Sequence, residues 1–280
     1  MNFIQLRAEL APIYPENESK TITEWIAEDL FGYKFPFSEK LVLSEAEKAK
    51  LFAVKTRLLA HEPVQYITEQ AHFYDLRLFV DKNVLIPRPE TEELVDLIIR
   101  KYKKRGQKRI KCLEIGAGSG CISLTLKKHL PDWEIHSLDI SAGALAVAAK
   151  NGENLGLSVH WQQVDFCQTE NWGKLGNFDI LVSNPPYILP SEKPAMSQNC
   201  ILHEPATALF VPENQPELFY ALFAKWAKNY LNPSGEIWAE LSEFSAELVK
   251  NHYLQQTHLT DIQLHKDIRS KDRILYAKKI

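Results

Sequence analysis

Three of the chain's eleven glycines fall within five positions, in the run Glu114-Ile115-Gly116-Ala117-Gly118-Ser119-Gly120. The run follows an apolar, strand-like segment and precedes an apolar segment of helical spacing that begins at Cys121. Glycine at such a junction permits a tight turn and lets the backbone approach a ligand closely. Taken alone, the run also fits a plain strand-to-helix turn. Its order is G-x-G-x-G, which lacks the dinucleotide spacing G-x-G-x-x-G, and no Gly-Lys-Ser/Thr ending marks a P-loop. The strand-turn-helix unit is repeated along the chain. Strands are expected over 111–115, 134–139, 159–164, 178–182 and 235–241, with two more near Ile262 and over 274–277. Helices are expected over 121–130, 142–155, 216–230 and 244–255. Such alternation specifies an α/β fold, a parallel sheet with helices on both faces, and ligands held beyond the carboxyl ends of its strands.

The first seventy residues have a different texture. Thr21-Ile22-Thr23-Glu24 and Ser44-Glu45-Ala46-Glu47 both fit the S/T-x-x-E capping box, and apolar residues follow each at helical spacing. Alternation at Tyr74, Leu76, Leu78 and Val80 predicts a strand, Asp81-Lys82-Asn83 a turn, and Val84-Leu85-Ile86 a returning strand. Pro87-Arg88-Pro89 then holds the chain extended ahead of a helix whose first turn carries Glu90, Glu92 and Glu93. The expected organisation is a small helical domain over 1–72, a β-hairpin linker over 73–90 and an α/β domain over 91–280.

Composition narrows the function. With 33 Lys and Arg against 36 Asp and Glu, the net charge of −3 argues against a protein that coats nucleic acid through many phosphate contacts. The basic run Lys101-Tyr102-Lys103-Lys104-Arg105 is expected to be a solvated helix end. Cys112, Cys121, Cys167 and Cys200 contain no C-x-x-C pair, as in a reducing compartment. No basic-then-apolar leader and no apolar run of about 18 residues is visible, so a soluble cytoplasmic protein is expected. The nine histidines show no H-E-x-x-H spacing and no G-x-S-x-G elbow is present, so neither a metal nor a serine nucleophile is expected.

Four features carry the chemistry. The glycine loop, Gly116, Ala117, Gly118, Ser119 and Gly120, is the first. Asp139 ends the next strand, where a carboxylate can accept both hydroxyls of a ribose or cap the following helix. Asp165 and Phe166 follow the third strand and suit an adenine, by its amino group and its face, or a loop acid beside a core aromatic. A ribose without a phosphate cradle fits S-adenosylmethionine. Ser183-Asn184-Pro185-Pro186-Tyr187 is the fourth. Two prolines stiffen the loop and remove two donors. What is left is a pair of acceptors, the Asn184 side-chain oxygen and the Pro185 carbonyl, suited to the two hydrogens of a planar –NH2. Tyr187 offers a flat face for it.

This order of motifs resembles class I, Rossmann-like, S-adenosylmethionine-dependent methyltransferases that modify amide or exocyclic nitrogens. Leu85-Ile86-Pro87-Arg88-Pro89-Glu90-Thr91-Glu92 is similar to the signature of the HemK-type methyltransferases, which modify a glutamine of peptide chain release factors. Glu62-Pro63-Val64-Gln65-Tyr66-Ile67-Thr68 and His203-Glu204-Pro205-Ala206-Thr207-Ala208-Leu209 also resemble segments of that family. The resemblance implies S-adenosylmethionine at Gly116 to Gly120, Asp139, Asp165, Phe166 and Asn184. It implies the Gly-Gly-Gln glutamine of class 1 release factors at Asn184, Pro185, Pro186 and Tyr187, with catalysis by Asn184, Pro185 and Tyr187. It further implies a seven-stranded sheet whose last strand is antiparallel. A monomer with no membrane and no stable nucleic-acid partner is expected. Glu69 stands where the family has glycine, Phe210-Val211-Pro212-Glu213 stands in place of its glycines, and Ala246 stands where glutamine is common. The alternative is a nucleic-acid methyltransferase acting on adenine or guanine amino groups, since the same grip suits any planar –NH2. A non-catalytic S-adenosylmethionine-binding scaffold is the reading of another class.

Overall fold

The computed structural model describes residues 1–36, 41–106 and 109–280, with the Arg105 side chain outside the description. In chain order the helices are α1 (Phe3–Leu10), α2 (Glu16–Phe31), α3 (Glu45–Leu59), α4 (Val64–Thr68), α5 (Pro89–Arg105), α6 (Cys121–His129), α7 (Ala142–Leu155), α8 (Gln198–His203), α9 (Ala206–Leu209), α10 (Leu218–Tyr230) and α11 (Ala246–Leu254). The strands are β1 (Gln70–Phe73), β2 (Leu76–Phe79), β3 (Lys111–Ile115), β4 (Glu134–Asp139), β5 (His160–Gln163), β6 (Phe178–Ser183), β7 (Leu231–Glu240), β8 (Leu259–Lys266) and β9 (Asp272–Lys279). The chain forms two compact units, Met1–Gln70 with Met196–His203, and Ala71–Ala195 with Glu204–Ile280.

The first unit is helical. Its core joins Phe3, Leu6 and Leu10 of α1 to Ile22 and Ile26 of α2 and Leu51, Val54 and Leu58 of α3. The second capping box forms as expected: Ser44 N donates to Glu47 Oε2 at 2.8 Å and Glu47 N to Ser44 Oγ at 3.3 Å. The first does not. Helix α2 begins at Glu16, behind Pro15, so Thr21 and Thr23 are interior and their hydroxyls donate back to Asn17 O and Ser19 O at 3.0 and 2.7 Å. The S/T-x-x-E pattern alone cannot distinguish a cap from an interior turn that bonds its own backbone. Glu69, at the position where glycine is common, takes a left-handed φ of 56° at the end of α4.

In the second unit β1 and β2 form the hairpin, with the turn at Tyr74-Asp75 instead of at 81–83. Tyr74 adopts φ 55°, and its N–H donates to Glu92 Oε1 at 2.8 Å. Val84 and Ile86 are buried but belong to no strand. Pro87 and Pro89 cannot donate to a ladder, and the Ile86 N–H is taken by Glu204 Oε2 at 3.3 Å.

The seven remaining strands make one sheet in the order β5-β4-β3-β6-β7-β9-β8. Strands β3 to β7 pair in parallel, and β9 runs antiparallel to both β7 and β8, as the resemblance implied. Side chains alternate between two cores. Leu113, Leu181, Ile237 and Ala239 pack with Phe223 and Trp226 of α10 and Val249 of α11. Cys112, Ile180, Val182 and Trp238 pack with α5 and α6 on the opposite face. Burial on both faces is why consecutive apolar residues occur in these strands, Cys112 and Leu113 in β3 and Ile180, Leu181 and Val182 in β6. Among the described residues no helix is long and apolar enough to cross a membrane.

The basic run at the end of α5 is not simply solvated. Lys101 pairs with Glu236, whose side chain is 1% exposed, at 2.9 Å, and lies over the Tyr276 ring at 3.9 Å. Tyr102 is buried edge-on against Trp133. Removing one partner of a buried pair leaves an uncompensated charge, so Lys101→Ala should cost about 3–5 kcal/mol in urea unfolding. A loss below about 1 kcal/mol would refute it.

Candidate active site

Chain direction in the sheet reverses at β3: the next strands, β4 and β5, lie on one side and β6 and β7 on the other. That switch point opens a crevice at the carboxyl ends of β3 and β6. The glycine loop closes one side of it. Gly116, Gly118 and Gly120 take φ of 82°, 52° and 80°, all left-handed. Gly116 N and Ala117 N both donate to Leu138 O at 2.8 Å, which ties the loop to the end of β4. A Cβ at Gly120 would meet Trp161 Cη2 at 3.0 Å and Leu124 Cδ1 at 3.1 Å, so glycine there also allows α6 to approach the sheet. Ser183 Oγ donates to Ile115 O at 2.7 Å and joins the ends of β6 and β3.

These loops surround a cavity of about 330 Å3, within the range of small-ligand sites. Of the residues singled out in the sequence, Gly116, Ala117, Gly118 and Ser119 line it from β3, and Asp139 lines it from β4. Asp165 and Phe166 line it after β5, and Asn184, Pro185 and Pro186 after β6. Gly120 and Tyr187 stand off its wall. Asp139 accepts from Gly118 N and Ser141 N, each at 2.9 Å, while Ser141 is the residue that caps α7. Asp165 accepts from Cys167 N at 2.9 Å. The Phe166 ring is 4% exposed and packs on Trp172 at 5.2 Å and Phe223 at 5.8 Å, so it is a core aromatic that also touches the cavity.

Around Asn184 the hydrogen bonds form a branched chain. Asn184 Nδ2 donates to Thr91 Oγ1 at 2.9 Å, and Thr91 Oγ1 donates to Glu240 Oε2 at 2.6 Å. Tyr187 OH donates to Glu240 Oε1 at 3.0 Å. Among the described residues nothing donates to Asn184 Oδ1 or Pro185 O. Glu240 is buried, which pushes its carboxyl above the usual range, and burial with Glu240 alongside raises the Tyr187 phenol.

Sequence reasoning missed several of these groups. Thr91 lay inside a quoted motif without a role, and nothing local marked Glu240. Glu114 also lines the cavity; its Oε2 accepts from Ser123 and from Ser137, the latter at 2.6 Å, while Oε1 has no hydrogen-bond partner among the described residues. Burial pushes its carboxyl up to about 7. Arg88 is on the wall too, paired at 2.5 Å with Glu204, whose side chain is 1% exposed. Asn151 donates to Phe79 O and Ser119 O, both at 2.9 Å, and so holds the glycine loop to β2. A metal-like grouping that spacing did not reveal comes together at the other end of the sheet. Glu134, His136 and His160, on the amino-terminal parts of β4 and β5, bring ligand atoms within 4.8 Å of one another. Lys111 already sets an ammonium 3.7 Å from Glu134 there.

Comparison with known proteins follows the same lines. The family model for the methyltransferase small domain matches residues 95–210. A protein of Bacteroides thetaiotaomicron named release factor glutamine methyltransferase is 37% identical over 98% of this chain and 98% of its own. One of Streptococcus pneumoniae with the same name is 35% identical over 98% and 95%. Among solved structures, the T. thermophilus 16S rRNA N2 G1207 methyltransferase, in complex with AdoMet and guanosine, superposes with a TM-score of 0.52 at 17% identity, over 75% of this chain and 50% of that one. It shares the class I fold.

Proposed function

The chain belongs to the release factor glutamine methyltransferases, and from this we propose that it transfers a methyl group from S-adenosylmethionine to the side-chain amide nitrogen of the Gly-Gly-Gln glutamine in class 1 release factors. The observation that carries the reading is the rigid pair of acceptors, Asn184 Oδ1 and Pro185 O, at a cavity wall shared with the glycine loop. S-adenosylmethionine supplies the electrophilic methyl. The cavity suits a cationic, ribose-bearing ligand. Its charged lining is three carboxylates, Glu114, Asp139 and Asp165, and one guanidinium, Arg88, which Glu204 already holds.

An amide nitrogen is a poor nucleophile because its lone pair is delocalised into the carbonyl. Two acceptors on its hydrogens push density back onto nitrogen and hold the lone pair in one direction. That is positioning plus electrostatics. The methylated amide is strongly acidic before it loses its proton, so no side chain need remove that proton ahead of attack. Tyr187 works through Glu240 here, since its hydroxyl is bound there and its ring is off the wall. The helical unit is the proposed docking site for the release factor. The proposal includes a monomer in the cytoplasm without a stable nucleic-acid partner.

Glu114 gives the site a pH dependence with a definite sign. Its ionised form favours a cation, and its carboxyl titrates near about 7. Affinity for S-adenosylmethionine should therefore rise about tenfold between pH 6 and pH 8, with proton release on binding. Stability of the ligand-free protein moves the other way. The native state keeps a proton that the unfolded chain releases near 4.5, so the stability Glu114 contributes is full below that pH and is lost as pH rises to about 7. Glu114→Gln should flatten both profiles. Calorimetry in two buffers of different ionisation enthalpy reads the first, and an affinity flat across this range in the native protein would refute the assignment.

Intact-mass analysis of unmethylated release factor, incubated with the protein and S-adenosylmethionine, tests the whole proposal. One methyl mapped to the Gly-Gly-Gln glutamine is the expected result. Label transferred to bulk RNA or DNA, with none in the release factor, would overturn it.

A further inference from the structure

A side-chain amide has two ends of nearly equal size and opposite polarity, so packing alone does not choose which end of Asn184 faces the cavity. Hydrogen-bond direction does. A threonine hydroxyl has a single hydrogen, and Thr91 gives it to Glu240 Oε2 at 2.6 Å. Burial raises the Glu240 carboxyl, while the hydrogen bonds it accepts from Thr91 and Tyr187 and the nearby Arg273 favour its ionised form, and in that form it has no hydrogen to return. Thr91 is left with only lone pairs for Asn184, and it accepts from Nδ2 at 2.9 Å. Turned over, Asn184 would set Oδ1 against those lone pairs, two acceptors in contact with no hydrogen between them. The second oxygen of Glu240 is occupied by Tyr187 OH at 3.0 Å, so the carboxylate also holds the far end of the Asn184-Pro185-Pro186-Tyr187 loop. Glu240 is 1% exposed at the end of β7, where it can be reached by neither bulk water nor a substrate.

We propose that Thr91 and Glu240 are positioning residues that set the polarity of the transfer site, keeping Asn184 Oδ1 turned toward the incoming –NH2. The assignment rests on the reading of Asn184 as an acceptor for the target amide. Thr91 also stands on the cavity wall, whereas Glu240 does not, and the role assigned to both is exercised through Asn184. Their effect is on how often Asn184 is in its working orientation, so it falls on kcat and not on cofactor affinity.

The test compares methyl transfer to release factor by Thr91→Val, Thr91→Ser, Glu240→Leu, Thr91→Val/Glu240→Leu and Asn184→Ala, with S-adenosylmethionine binding as the control for folding. Thr91→Val keeps the shape and loses the hydroxyl. It should lower kcat about thirtyfold, with cofactor affinity unchanged, as for a misdirected catalytic group. Thr91→Ser keeps the donor and the acceptor and should stay within about threefold of the native protein. Glu240→Leu frees the Thr91 hydrogen to turn Asn184 over and should resemble Thr91→Val. The double variant should fall no more than about threefold below the worse single one, because both losses act through one carboxamide. A Thr91→Val protein with turnover within about threefold of native, while Asn184→Ala is inactive, overturns the polarity assignment and leaves the acceptor reading standing. Full activity in Asn184→Ala overturns the acceptor reading and this one with it. A measurement on the native protein needs no folding control: in 15N-asparagine-labelled material the Asn184 side-chain amide should show a proton protected from exchange, and exchange of both protons at the free-amide rate refutes the bond to Thr91.

Discussion

Asn184→Ala should turn over at least about a hundredfold more slowly than the native protein, which corresponds to about 2.7 kcal/mol of transition-state stabilisation from one preorganised polar group. The reason lies in the substrate. In the proposed mechanism the glutamine nitrogen gains nucleophilic character while its hydrogens are held by acceptors, and Asn184 is one of the two. Pro185 O, the other, is fixed by a backbone that two prolines stiffen, and would remain. Binding of S-adenosylmethionine, for which Asn184 is one expected contact among many, should weaken by less than about tenfold, because the cavity keeps its glycine loop and its carboxylates. Single-turnover transfer with saturating cofactor reads the effect directly. Near-native turnover in a folded Asn184→Ala protein would exclude the acceptor mechanism.

Asp139→Ala should give the opposite pattern, with S-adenosylmethionine bound about a hundredfold more weakly and kcat at saturation within a few-fold of native. Asp139 has two jobs in the structure. Its carboxylate lines the cavity, and it holds Gly118 N and Ser141 N at 2.9 Å. Charge-assisted hydrogen bonds are worth about 1.5–3 kcal/mol each, so losing the ribose contact proposed for Asp139 and loosening the loop together reaches a factor of a hundred. The conservative Asp139→Asn protein keeps acceptor capacity at one oxygen and should lie between the two. Calorimetry separates the cases, and an Asp139→Ala affinity within threefold of native would remove Asp139 from the cofactor site.

The parts of this fold that were legible in the sequence are those whose cause is local. The β4 and α7 boundaries fall where expected, at Glu134–Asp139 and Ala142–Leu155. Apolar spacing, a serine cap and a following glycine act within a few residues of one another. The same holds for the second capping box at Ser44. The misreadings have non-local causes. Val84 to Ile86 has the composition of a strand, yet its donor at Ile86 is claimed by Glu204, 118 positions away. The hairpin turns at Tyr74, a residue with no turn signature, because Glu92 takes its N–H and Asp96 its hydroxyl at 3.0 Å. Thr21 satisfies a capping pattern inside a helix that had already begun.

The candidate site divides along the same line. The glycine loop, Asp139, Asp165, Asn184 and the two prolines were readable because each follows directly from a strand end, and strand ends in a parallel sheet converge on one crevice. The sequence by itself determined that the glycine loop, Asp139, Asp165 and the Asn184-Pro185-Pro186 loop come together on one cavity. It did not determine which way the Asn184 amide points. Thr91 and Glu240, 149 positions apart, decide that. Backbone conformation in a tight turn depends on the residues in the turn, so it is written in the local sequence. The direction of a buried hydrogen bond depends on which through-space partner already holds the hydrogen, and only the folded chain brings that partner into place.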